Sequence, residues 1–338
     1  MQFYQHKNKN KFQLYYVYGF IVLTILSIFL LFFFDSSIGN FRFPVNDIVL
    51  KIRYIDLFKT IIVGWSIGLS NYCFQYVTKN KFADVGIFGS YSFLQLCLMV
   101  LIIILKDKFI SWEQSYLVSI IYSFVGVFSG LIFYLISKKT DLASKKILVY
   151  GIFLNTLVFA LISLILNSVK LSSREYDLVY ANYLTKMLGN ISGYGNTDSL
   201  IIQFVIVFLC TVFVILNKNK MLILCLDKNK SSTLQTSYDR FKLIILIMIG
   251  LLSASTFALV GYIAFIGLAI NFIINKLFKG IKMQLLMVIV VSIFITCFCQ
   301  LLAKVFLHYF PVNNKSLPVS AFFGMVSFPI FCLSFLSK

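Results

Sequence analysis

Ser199–Asn217 reads SLIIQFVIVFLCTVFVILN, nineteen residues without a charge, bounded by Asp198 on one side and Lys218 on the other. A helix rises about 1.5 Å per residue, so this block covers about 28 Å, close to the hydrocarbon thickness of a bilayer. It is apolar on every face rather than alternating or amphipathic, which suits a segment surrounded by lipid and protein. Only a helix lets such a segment satisfy its own backbone there.

Working outward, nine further blocks of the same kind follow from the sequence: 14–34, 57–77, 86–106, 114–137, 146–168, 241–259, 263–279, 284–307 and 317–336. The expected fold is all-α, a polytopic membrane protein with about ten transmembrane helices. The blocks at 263–279 and 317–336 are short or interrupted by Gly, Pro and polar residues, and are read either as crossings or as half-helices packed inside protein. Composition agrees: 60% of the 338 residues are hydrophobic and 12% charged, against about 25% charged in a soluble domain. The first block is long and bulky and lacks a small-residue cleavage pattern, so it is read as a retained span.

An even number of spans puts both termini on one side, and the basic residues say which. With the termini cytoplasmic, nineteen of the thirty Lys and Arg fall inside, among them Lys79, Lys81, Lys138, Lys145, Lys218 and Lys276. The outside keeps eleven, together with eight of the twelve acids, a net of about +3 against about +15 inside. That is the bias expected when positively charged loops stay on the cytoplasmic side. The formal charge of +18 therefore reflects topology and attraction to anionic lipid rather than nucleic-acid binding.

The longest polar stretches, 35–56 and 169–198 outside and 218–240 inside, are too short for separate domains. The chain is read as one transmembrane domain over 1–338 with a cytoplasmic tail at 1–13. It has no P-loop and no dinucleotide fingerprint, so the energy for any transport comes from a partner or an ion gradient. No Asp or Glu lies deep in a predicted span, where a gradient-driven carrier usually keeps an ionisable site. The seven cysteines, mostly within apolar blocks and without a CxxC pair, read as small buried hydrophobes. No metal, cofactor or catalytic residue is expected, and no HExxH pair or nucleophile elbow suggests an intramembrane enzyme. Gly64 with Gly68, and Gly126 with Gly130, are small-xxx-small pairs that allow close helix approach.

Four stretches together resemble the FecCD-type permeases, the family of ATP-driven importers for iron siderophores, haem and cobalamin. Gly64–Gly89, GWSIGLSNYCFQYVTKNKFADVGIFG, is similar to that family's glycine-rich second span and the turn after it, with Gln75, Asn80, Ala83, Asp84, Gly86 and Gly89 at the matching positions. Gly151–Leu166 resembles its fifth span, with Asn155 as the polar residue, and Met187–Gly193 a short segment before the sixth. Val260–Leu268, VGYIAFIGL, is close to the Gly-Pro-Ile-x-Phe-Ile-Gly-Leu motif through Gly261, Phe265 and Gly267, while Pro318 and Val319, followed by Phe323 and Gly324, resemble its ending. Departures are Lys81 and Tyr262 where the pattern has Pro, and Asn271–Asn275 where Pro-His-x-x-Arg is usual; the last is similar to the catecholate-siderophore branch.

The resemblance implies a type II ABC importer permease, not an enzyme, whose partners are a second permease subunit in a homo- or heterodimer, two ATPase subunits and an extracytoplasmic substrate-binding protein. It implies an iron(III)-siderophore as cargo, with cobalamin or haem as alternatives and a gradient-driven secondary carrier as the rival from another class. Arg53, and more loosely Lys304, would dock the binding protein, with Asp56 reversing the charge of a second family arginine. The loop 218–240 would couple to the ATPase through Asp227, Lys228, Ser231, Leu234 and Gln235, of which Leu234 alone keeps the family residue.

Overall fold

A computed structural model of the chain describes residues 2–35, 39–41, 46–81, 83–86, 89–105, 115–139, 145–168, 173–191, 197–224, 238–263, 265–310 and 318–336. Its helices are α1 (Gln2–Phe33), α2 (Asp47–Thr78), α3 (Ser90–Leu105), α4 (Tyr116–Lys139), α5 (Lys145–Ser168), α6 (Ser173–Met187), α7 (Thr197–Leu216), α8 (Lys218–Leu224), α9 (Tyr238–Leu259), α10 (Ile266–Leu277), α11 (Ile281–Tyr309) and α12 (Val319–Leu336). Each of the ten apolar blocks holds one helix. The fold is all-α and polytopic, as the hydropathy pattern requires. Among the described residues two helices were not visible as apolar blocks: α6 in the polar stretch after α5, and the short α8 within 218–240. Residues 2–13 are helical and continuous with the first span.

Among the described residues six helices, α1, α4, α5, α7, α9 and α11, are long and apolar enough to cross a membrane, while α3, α10 and α12 are shorter apolar helices. The 32-residue α2 has the length but not the apolarity, because it runs through protein rather than lipid. It packs on α11, α9, α10, α7 and α1, and buries Thr60, Ser66, Ser70, Asn71, Gln75 and Thr78. Most of these polar groups bond to nearby carbonyls, their own helix's or a neighbour's: the Ser66 hydroxyl donates to Leu252 O at 2.7 Å and Thr60 to Asp56 O at 2.7 Å. A buried hydroxyl is tolerated when so paired.

Glycines set the closest approaches. A Cβ at Gly68 would stand 2.6 Å from Ser292 Oγ, and one at Gly64 would strike the Thr296 hydroxyl, so α2 and α11 meet along that pair. On the other flank of α9, Gly126 of α4 and Gly250 of α9 face each other so closely that a Cβ on either would collide with the other's carbonyl; one at Gly130 would lie 2.6 Å from Leu246 O. Both small-xxx-small pairs therefore sit at helix crossings. In contrast, α5 is peripheral: it packs on α3, and 17% of its membrane window is buried against 72% for α9. Between α1 and α2, Phe34↔Phe41 and Asp35↔Asn40 pair in a small antiparallel hairpin, whose Gly39, at φ 72°, lies against the His308 ring.

Candidate functional site

The turn after α2 does not lead straight into the next helix. Lys79 ends α2 in the left-handed region, and Ala83 N donates to Asn80 O at 3.2 Å. The chain then doubles back along α2. Gln75 Nε2 donates to Lys81 O at 2.8 Å and to Ala83 O at 3.4 Å, and Val85 N donates to Asn71 Oδ1 at 3.0 Å. Asn71 is seven residues before the end of α2, about 10 Å by helical rise, so Ala83–Gly86 is non-helical backbone lying inside the protein. That explains why α3 has only 16 residues: part of the crossing is already made before it begins at Ser90, after Gly89 at φ 84°.

A second irregular stretch, Val260–Phe265, separates α9 from α10 and meets the first. The buried Asp84 carboxylate is the link, since its Oδ2 accepts Gly86 N at 3.2 Å and Phe265 N at 3.4 Å. Phe265 caps α10 at φ 66°, a strained angle for a residue with a Cβ, and its ring is 53% exposed. A Cβ on Gly267 would collide with the Asn71 side chain, so only glycine lets α10 start against α2. Tyr91 of α3 completes the contact edge to face with Tyr262 at 5.4 Å.

The end of α9 is held from α6. Helix ends leave carbonyls without intrahelical partners, and here those of Thr256 and Phe257 accept Val260 N and Gly261 N at 3.0 and 2.9 Å. Ala258 O accepts Lys186 Nζ at 3.3 Å, and Val260 O accepts Asn190 N at 2.9 Å. In return Tyr262 N donates to Lys186 O at 3.0 Å, and Gly261, at φ 101°, lies so close that a Cβ would strike that carbonyl. Gly189 O then accepts Val319 N at 2.9 Å, and the Ser320 hydroxyl donates to Leu188 O, which ties in α12 just past Pro318. The lysine at the carbonyl end of α9 and the aspartate at the amide end of α10 each complement the local helix dipole.

Thus Gln75, Asn80, Ala83, Asp84, Gly86, Gly89, Gly261, Phe265, Gly267 and Pro318 fall in one continuous junction. Asn155 joins it too, since its Oδ1 accepts the Ser92 hydroxyl beside Gly89. Sequence reading missed Asn71 and Lys186. Asn71 was legible as the polar residue one turn before Gln75; Lys186, a lone basic residue at the head of the Met187 stretch, gave no such signal. Desolvation of its amine, and then the nearby Lys59 ammonium, bring Lys186 down to about 7.

Arg53 and Lys304 stand in a separate charged cluster near the hairpin. Arg53 is 8% exposed and donates to Asp35 Oδ2 at 2.8 Å and to Phe32 O at 3.2 Å. Lys304 lies within electrostatic reach of Asp56, Arg53 and Asp35. Asp227, Lys228, Ser231, Leu234 and Gln235 lie outside the described residues. Among the described residues no three His, Cys, Asp or Glu gather as a metal site.

Known proteins resemble this chain over most of its length. The model of the FecCD transport family matches residues 13–337. The ferric-anguibactin transport system permease protein FatD of Vibrio anguillarum is 25% identical over 272 residues, covering 78% of this chain and 80% of that protein. The petrobactin import system permease protein YclO of Bacillus subtilis is 26% identical over 267 residues, covering 77% and 78%. A solved structure of an inward-facing ABC transporter, described as of metal-chelate type, superposes with a TM-score of 0.75 at 17% identity, covering 98% of this chain and all of that one.

Proposed function

This chain belongs to the FecCD transport family, and from that membership we propose that it carries an iron(III)-siderophore across the cytoplasmic membrane of a bacterium. It is a permease subunit rather than an enzyme, and works with ATPase and substrate-binding partners. The observation that carries the cargo reading is the pair of relatives named for ferric anguibactin and petrobactin, each matched over more than three quarters of this chain. A catecholate chelate is the finer reading, supported by Asn271–Asn275 in place of the usual Pro-His-x-x-Arg. Nothing observed favours haem or cobalamin over a siderophore, and the family match weighs against a gradient-driven carrier.

In the proposed assembly the whole chain, 1–338, is one permease domain that pairs with a second copy or a sister subunit above two ATPase subunits. Both termini face the cytoplasm, supported by the distribution of Lys and Arg. The 218–240 loop meets the ATPase through Asp227, Lys228, Ser231, Leu234 and Gln235, and nucleotide-driven closure turns the spans between two bistable arrangements. Arg53 and Lys304 dock the binding protein on the opposite side. Because Arg53 is paired with Asp35, docking through it would exchange that carboxylate for one on the partner, so Asp35→Asn, which removes the competing charge, would tighten the complex.

Radio-iron uptake in a strain lacking this chain tests the proposal, with catecholate and hydroxamate siderophores, haem and free iron run in parallel. Selective loss of one chelate, restored by the intact chain but not by a copy scrambled over 226–238, is expected. Unchanged uptake of every iron source would overturn it.

A further inference from the structure

We propose that the seam between α2 and α10 holds a bound water at Asn271, at the closed end of a polar crevice that opens beside the turn between α10 and α11. Asn271 is 1% exposed, and neither its Nδ2 nor its Oδ1 has a hydrogen-bond partner in the protein. Among the described residues no other side chain has two buried polar atoms unpaired. Buried polar groups are nearly always paired, with protein or with ordered water. An amide bare at both ends calls for an occupant.

Helical register places the amide between two polar contacts. One turn before it, Gly267 lies so close to Asn71 of α2 that a Cβ would strike that side chain. One turn after it, Asn275 Oδ1 accepts Gln284 Nε2 at 3.5 Å, and Gln284 Oε1 is 3.2 and 3.1 Å from the hydroxyls of Tyr72 and Tyr76. Residues 267, 271 and 275 share one face of α10, so Asn271 lies alongside the stretch of α2 between Asn71 and Tyr76. Asn71 is itself engaged: its Nδ2 donates to Ile67 O at 3.2 Å and its Oδ1 accepts Val85 N at 3.0 Å. The way in is from the turn, where Asn275 is exposed and Gln284 and Tyr76 are half-buried.

The chemistry of the amide selects water. A cation would satisfy Oδ1 and be repelled by the Nδ2 hydrogens, and an anion would do the reverse. Water both donates and accepts, and the flanking amides and hydroxyls supply the roughly two to four polar partners that a buried water takes. Asn271 also opens the stretch that stands in place of Pro-His-x-x-Arg, and proline offers no such group. The inference concerns this seam alone and does not depend on the identity of the cargo.

Water-edited solid-state NMR on the full chain in lipid bilayers reads the site, as transfer of magnetisation from water to side-chain amides. Burial alone ranks Asn271 below Gln75, which is 7% exposed and spends its amide nitrogen on Lys81 O and Ala83 O. A bound water reverses that order, so transfer to Asn271 should build up several times faster than to Gln75 and approach that of the exposed Asn275. Asn271→Leu, close in volume, gives a second reading. Removing a dry, orphaned amide raises the thermal midpoint, whereas displacing a bound water that leucine cannot replace lowers it. A lower midpoint is expected. Transfer to Asn271 no faster than to Gln75, or a raised midpoint in Asn271→Leu, would each overturn the proposal, and the wild-type spectrum carries the test if the variant does not fold.

Discussion

Helix α9 is held in two unlike ways along its length. At its middle, Gly250 meets Gly126 of α4 backbone to backbone, and the Ser129 and Ser253 hydroxyls beside the crossing donate to carbonyls of their own helices. At its end the backbone unwinds, and its carbonyls are taken up by Lys186 and Asn190 from another segment. The first contact depends on shape alone, so it is close and chemically inert. The second depends on polar groups at fixed positions, so it can respond to charge, and it is there that the four family-like stretches gather.

The comparison breaks first if the glycine crossing tolerates bulk. Gly250→Leu should cost about 3 kcal/mol or more, because the added atoms meet backbone that cannot turn aside; the loss would appear as a lower thermal midpoint in detergent and a poor yield. At the junction, Asp84→Ala should cost about 2 kcal/mol by orphaning the Gly86 and Phe265 amides and removing a charge from the start of α10. Asp84→Asn should recover part of that, whereas equal losses would mean that charge has no role.

Gln75→Ala should cost about 1 kcal/mol for its bonds to Lys81 O and Ala83 O. Protection of the Val85 amide would fall with it if the doubled-back chain moves as a unit. Phe265→Gly should be smallest, within about 1 kcal/mol of wild type, since relief of the left-handed strain offsets glycine's entropy. A loss of several kcal/mol would show that the half-exposed ring packs on something the junction needs.

What the sequence made legible follows from locality. A block such as 199–217 states its own fate, because crossing a bilayer depends on the block's length and apolarity alone. The ten blocks accordingly became ten helices, and even the doubtful block 263–279 became the 12-residue α10. The motif residues were legible one stretch at a time, through their likeness to a family. Their convergence was not, because nothing near Asp84 in the chain announces that Phe265, 181 residues away, will donate to it. Helix α6 was missed for a related reason. Charged and polar residues interrupt its apolar ones throughout, so no apolar block marks it, although it packs on α3. The pairing of Arg53 with Asp35 likewise needs the hairpin turn between them, which no periodicity marks.

The polarity of α2 also bears on how the protein is made. A nascent helix leaves the insertion channel for lipid only if it is greasy enough by itself, and one bearing Arg53, Asp56, Lys59, Asn71 and Gln75 is poorly suited to do so. The helices that shelter those groups, α9 and α11, lie in the last third of the chain and are synthesised late. During translation α2 must therefore wait at the edge of the channel or in the company of a chaperone until more than half the chain has followed it. Ribosome-bound chains cut short before α9 should leave α2 unintegrated, though α1 has already settled in the bilayer.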